Sequence, residues 1–69
     1  TNAKLRRRAA RIVAELGECP EANAAGLLEA AGWHIPTAVV MAVLRVSAEE
    51  ARRRLEAAGG RLRGVLGET

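Results

Sequence analysis

Apolar positions recur along this chain at three- and four-residue steps, the period of a helix buried on one side. Leu5, Ala9, Ile12, Val13 and Leu16 form the first stripe and predict a helix over about 2–16, with Gly17 as its stop. Basic residues fill the wetter side, where Arg11 and Glu15 stand four apart, the spacing of a helical ion pair. Pro20 suits the first turn of a second helix reaching about Ala31, with Ala24, Leu27, Leu28 and Ala31 as its inner face and Gly32 as its end. Pro36 marks the first turn of a third, which turns Ile35, Ala38, Val39, Ala42 and Val43 inward. Ser47, with Glu50 three residues on, forms a capping box and opens a fourth helix lined by Ala48, Ala51, Leu55 and Ala58. Gly59-Gly60 stops it, and a short fifth helix follows with Leu62, Val65 and Leu66 facing in. No segment alternates with the two-residue period of a strand, so the expected class is all-α, with about five short helices.

An internal repeat lies within this pattern. Leu28-Glu29-Ala30-Ala31-Gly32 returns 27 positions later as Leu55-Glu56-Ala57-Ala58-Gly59, with Ala24 matching Ala51 and Ile35 matching Leu62. Each copy reads helix, glycine turn, helix. Two copies are too few for a solenoid, and a pair of related helical hairpins is expected.

Composition narrows this further. A chain of 69 residues makes one domain, 1–69, and a domain of that size buries only about 60% of its unfolded surface. Hydrophobic residues at 49% and charged residues at 28% exclude a disordered tail. Trp33 is the one aromatic, so the core is built from alanine and aliphatic side chains that let helices pack closely. One cysteine, Cys19, rules out an internal disulfide, which fits a cytoplasmic setting. The longest apolar run, Ala38 to Leu44, falls far short of the roughly 18 residues of a membrane span, and no signal peptide is visible, so no membrane partner is expected. The helical pattern is already running at the first residues, and the chain reads as a fragment of something longer.

The net charge is +3, with one basic cluster at Arg6, Arg7, Arg8 and Arg11 and another at Arg52, Arg53 and Arg54. Such clusters suit a nucleic-acid or phosphate surface, or simply a solvated helix face. Eight acidic residues interleave with them and no aromatic stacking platform accompanies them, which disfavours nucleic acid. Catalytic chemistry finds little to work with. There is no Asp, the one histidine, His34, has no Cys-His metal spacing around it, and Cys19 and His34 lack a third member for a triad. The glycines make no phosphate loop, and nothing pairs two glutamates as acid and base. His34 is expected near the N-cap of the third helix, Cys19 between helices, and Trp33 over a helix junction. No cofactor or metal is expected.

Several stretches, taken in order, resemble a known family. Asn2-Ala3-Lys4-Leu5-Arg6-Arg7-Arg8-Ala9, then Arg11-Ile12-Val13, is similar to the helix that opens the C-terminal domain of N-acetylmuramic acid 6-phosphate etherases. Leu28-Glu29-Ala30-Ala31-Gly32 and Ala38-Val39-Val40-Met41 resemble its second and third helices. Ser47-Ala48-Glu49-Glu50-Ala51-Arg52 and Leu55-Glu56-Ala57-Ala58-Gly59-Gly60 resemble the fourth and its following turn. The resemblance implies a non-catalytic domain behind a sugar-isomerase (SIS) domain that carries the acid/base glutamate. The parent would cleave the lactyl ether of the sugar phosphate during bacterial cell-wall recycling in the cytoplasm, as a homodimer. The related glucokinase regulatory proteins share both domains. Lys4 and Arg8 match a Lys-Leu-x-x-Arg element that approaches the sugar-phosphate site, and their four-residue spacing puts both cations on one helix face. The chain departs from the family before Gly17, where it is one residue short. It departs again at Trp33, His34, Pro36 and Arg45, where Gly, Asn, Lys and Gly are usual.

A second resemblance concerns fold. Residues 12–45 resemble a ubiquitin-associated (UBA) three-helix bundle, extended by a second helical hairpin over about 47–67. A stand-alone interaction module is therefore the alternative function. Leu16-Gly17-Glu18 puts a carboxylate where ubiquitin-binding versions carry an apolar anchor, so ubiquitin is not the expected partner.

Overall fold

A computed structural model describes residues 2–67, so Thr1, Glu68 and Thr69 of the expected 1–69 domain lie outside the described residues. The chain is all-helical there: α1 (Asn2–Gly17), α2 (Glu21–Ala30), α3 (Ile35–Leu44), α4 (Ala48–Ala57) and α5 (Leu62–Val65). Helix α3 is the hub. It packs against α1 and α2 on one side and α4 and α5 on the other, while α1 also packs along α2.

The hub position explains one departure from the expected pattern. One apolar face was expected on α3, yet Thr37, Ala38, Val39, Val40 and Met41 are all buried, and Val43 is 40% exposed. A helix covered by neighbours on several sides buries consecutive residues, and its apolar run needs no stripe. Thr37, the buried polar residue among these, shares a 2.7 Å hydrogen bond with His34 Nδ1.

Helix α1 departs differently. Its buried residues are Ala9, Ala10 and Val13, whereas Leu5 and Leu16, expected to face in, are 61% and 55% exposed. Residues 2–8 are all exposed. Leu66, expected to face in beside half-buried Leu62 and Val65, is exposed too. Arg11 and Glu15 are exposed and form no ion pair among the described residues.

The repeat is a repeat of structure. In the first copy Gly32 N donates to Glu29 O (3.2 Å) and Trp33 N to Leu28 O (2.7 Å). In the second, Gly59 N donates to Glu56 O (3.1 Å) and Gly60 N to Leu55 O (2.7 Å). Both are the paired bonds of a Schellman cap, with Gly32 (φ 65°) and Gly59 (φ 69°) in the left-handed position. Helix α1 ends in the same motif, with Cys19 N donating to Ala14 O at 3.0 Å and Glu18 N to Glu15 O at 3.4 Å. There the left-handed residue is Glu18 (φ 52°), so Gly17 is the last helical residue and not the cap glycine. Its role is contact: a Cβ on Gly17 would sit 2.6 Å from Ala42 Cβ on α3. Pro20 likewise stands one place earlier than expected, as the N-cap of α2.

The capping box of α4 forms by half. Glu50 N donates to Ser47 Oγ at 3.1 Å, but the Glu50 carboxylate turns away, accepting from Arg54 Nε at 2.8 Å and from Arg53. Replacing Ser47 by alanine is expected to cost about 1 kcal/mol, and by glycine only a few tenths, in denaturant unfolding. Equal stability of Ser47→Ala and the parent would contradict this capping role. The Arg54 hydrogen bond holds the Glu50 carboxyl below its ordinary value; partial desolvation opposes this, and the charges of Arg53 and Arg54 add to it. The associated stabilisation is present above the unfolded carboxyl value and is lost as pH falls through the lower folded one.

Candidate functional site

The exposed first two turns of α1 carry the two cations singled out by sequence. Lys4 and Arg8 are one turn apart on one face, both exposed, and neither is in an ion pair of the described residues. Arg6 lies on another side of the helix and is engaged. Its Cζ sits 4.6 Å from the centroid of the Trp33 ring, and Nη1 is 4.0 Å from Glu29 Oε2. Nothing in the sequence marked Arg6 apart from its neighbours, because its two partners come from α2 and the α2–α3 turn and follow no spacing rule.

Between α1 and the α2–α3 turn lies an open groove of about 390 Å³, floored by Leu5, Ala9, Ile12 and Ile35 and closed on one side by Trp33. Arg6 and Arg8 also line it. Lys4 is outside it, next to Arg8 on the outer face. Trp33 is half-buried, packed against the core at the junction of α1 with the α2–α3 turn, as expected. Its backbone is left-handed, with φ 63°, where the second copy of the turn has Gly60 with φ 82°. That conformation costs a non-glycine residue about 1–2 kcal/mol, which ring burial and the arginine stack, about 0.5–1 kcal/mol at an exposed site, offset.

The second basic cluster is turned to the fold itself. Arg53 and Arg54 hold Glu50, and Arg52 Nη2 donates to Ala30 O at 3.3 Å, tying α4 to the end of α2. Among the described residues, Lys4, Arg7, Arg8 and Arg11 on α1 are in no ion pair, and neither are Arg45, Arg61 and Arg63 elsewhere. Arg52 also edges a shallow groove of about 610 Å³ with His34, Thr37, Leu55 and Glu56. His34 is the N-cap of α3, as expected, and its ring is engaged with Thr37. Cys19 is half-buried where α1 turns into α2. Among the described residues no three His, Cys, Asp or Glu side chains group closely enough to hold a metal ion. No single helix there is long and apolar enough to cross a membrane.

Fold and surface define a small helical domain with a basic, projecting first helix. In sequence it matches a small part of each of several N-acetylmuramic acid 6-phosphate etherases. It is 46% identical over 66 residues to an N-acetylmuramic acid 6-phosphate etherase of Geobacillus sp. (strain WCH70), covering 96% of this chain and 22% of that protein. Against the Deinococcus radiodurans etherase it is 46% identical over 68 residues, 99% of this chain and 22% of the relative. The Klebsiella aerogenes etherase is 42% identical over 69 residues, 100% of this chain and 23% of the relative. The chain thus spans about a fifth of the length of the curated relatives it matches. No family model and no solved structure matches it.

Proposed function

We propose that this chain is a non-catalytic helical domain of an N-acetylmuramic acid 6-phosphate etherase. In the whole protein it follows a SIS domain that holds the acid/base glutamate, and the whole protein acts as a homodimer in the cytoplasm. The reaction cleaves the D-lactyl ether of the sugar phosphate, giving N-acetylglucosamine 6-phosphate and D-lactate in cell-wall recycling. The carrying observation is identity running the whole length of this chain against about a fifth of each relative. The role of the domain is to complete the substrate site: Lys4 and Arg8, exposed and free of ion pairs among the described residues, offer two cations to one phosphate.

Lys4→Ala and Arg8→Ala, each made in the whole protein, test this. Each removes a charge-assisted hydrogen bond, so KM for N-acetylmuramic acid 6-phosphate should rise about tenfold to a hundredfold. Both side chains are exposed, so circular dichroism and thermal midpoint should not move. Unaltered KM in both variants refutes the assignment.

A stand-alone UBA-like interaction module is the second reading. It is favoured by the exposed Leu16 and Val43, which border one surface hollow with Glu18 and Arg45. It expects no sugar-phosphate binding by any polypeptide containing this chain, so the same titration separates the two.

A further inference from the structure

We propose that the Arg6–Trp33 stack is a latch that positions the first two turns of α1, and with them Lys4 and Arg8. The consequence for ligand rests on the phosphate reading above; the latch itself does not. Packing gives these turns little support. Residues 2–8 are all exposed, Ala9 is the first buried residue, and even Leu5 is 61% exposed. A helix end without a covered face frays. What reaches back to the body is Arg6, stacked at 4.6 Å over the Trp33 ring and 4.0 Å from Glu29.

The fold carries its own comparison for Trp33. Both copies of the turn make the same pair of backbone bonds, and the second makes them with Gly60 at the position Trp33 occupies. Glycine therefore serves this turn without strain, and the turn does not ask for an indole. A bulky residue kept in a left-handed conformation points to a use for its side chain. Here the ring offers Arg6 a face where the exposed turns of α1 pass the α2–α3 turn. Trp33 and Arg6 are thus positioning residues. They set where Lys4 and Arg8 stand, without touching ligand themselves.

Amide hydrogen exchange by NMR on the 69-residue chain tests the latch, with Trp33→Gly and Arg6→Gln as the breaking variants and Trp33→Phe and Arg6→Lys as the conservative ones. In both breaking variants the amides of Arg6 to Ala9 should exchange about tenfold faster, while those of α3 change by less than about twofold. The conservative variants should recover much of the protection. Exchange at Arg6 to Ala9 unchanged within about twofold in both breaking variants overturns the proposal. Should Trp33→Gly unfold, Arg6→Gln decides alone, because that side chain is 56% exposed and contributes nothing to the core. In the whole protein Arg6→Gln should raise KM for N-acetylmuramic acid 6-phosphate with the thermal midpoint preserved. If Arg6→Gln loosens the turns while Lys4→Ala and Arg8→Ala leave KM untouched, the latch stands and the phosphate reading falls. If Lys4→Ala and Arg8→Ala raise KM but Arg6→Gln alters neither exchange nor KM, the latch alone falls.

Discussion

Replacing Leu28 by alanine is expected to bring the chain to the edge of unfolding. Leu28 is fully buried in α2 and is among the largest side chains of the core. Removing its isobutyl end forfeits transfer energy and leaves a cavity, and such substitutions cost about 2–5 kcal/mol. The other buried core residues are mostly alanines and valines on short helices. A domain of this length has a total stability of only about 3–10 kcal/mol. One substitution therefore consumes much of it. Urea unfolding followed by circular dichroism should show a sharply lowered midpoint, or a chain already partly unfolded in buffer. A loss below about 1 kcal/mol would mean that the core closes over the gap or that Leu28 is not at its centre.

Two helical glycines are expected to respond to alanine with opposite signs. At Gly17 the new Cβ would lie 2.6 Å from Ala42 Cβ, far inside van der Waals contact. Ala42 Cβ is fixed to the α3 backbone, so relief requires moving one helix off the other. Overpacking of that kind costs about 1–3 kcal/mol. At Gly26, in the middle of α2, an added Cβ meets nothing within 4 Å. There alanine removes unfolded-state entropy and improves helix propensity, and should stabilise by about 0.5–1 kcal/mol. Denaturant midpoints of the two variants against the parent measure this directly. Stabilisation by Gly17→Ala would show that α1 and α3 are not packed through this glycine.

Read from the sequence, Gly17 was a helix stop, and α1 does end there, but the left-handed cap falls on Glu18, which shows where local signals run out. A glycine after a periodic stretch looks the same whether it caps the helix or admits a neighbour. Only the position of α3 distinguishes the two. Glu18 takes the left-handed position instead, and no residue-type rule would have chosen it. Arg45 does the same at the end of α3, with φ 56°. The candidate site divides in the same way. Lys4 and Arg8 were singled out by the resemblance to the etherases, and their four-residue spacing puts them on one helix face. Arg6 and Trp33 were not, because they meet between α1 and the α2–α3 turn, which no spacing rule links.

The sequence by itself determined that the chain is helical, where the helices start and stop to within a residue or two, and that two of its hairpins share a turn. These features are local: a 3.6-residue apolar period, prolines at starts, a Ser47 cap, and glycines at Gly32 and Gly59 that take a left-handed backbone without strain. Its likeness to the etherases was also legible, as an ordered run of helical segments. The tertiary structure alone decided which apolar residues are covered. It placed α3 at the centre, which buries five consecutive residues where one stripe was expected, and it left Leu5 and Leu16 largely exposed. Burial depends on what stands opposite a side chain, and in a bundle of five short helices that is set by how the helices cross. No spacing within one helix encodes it.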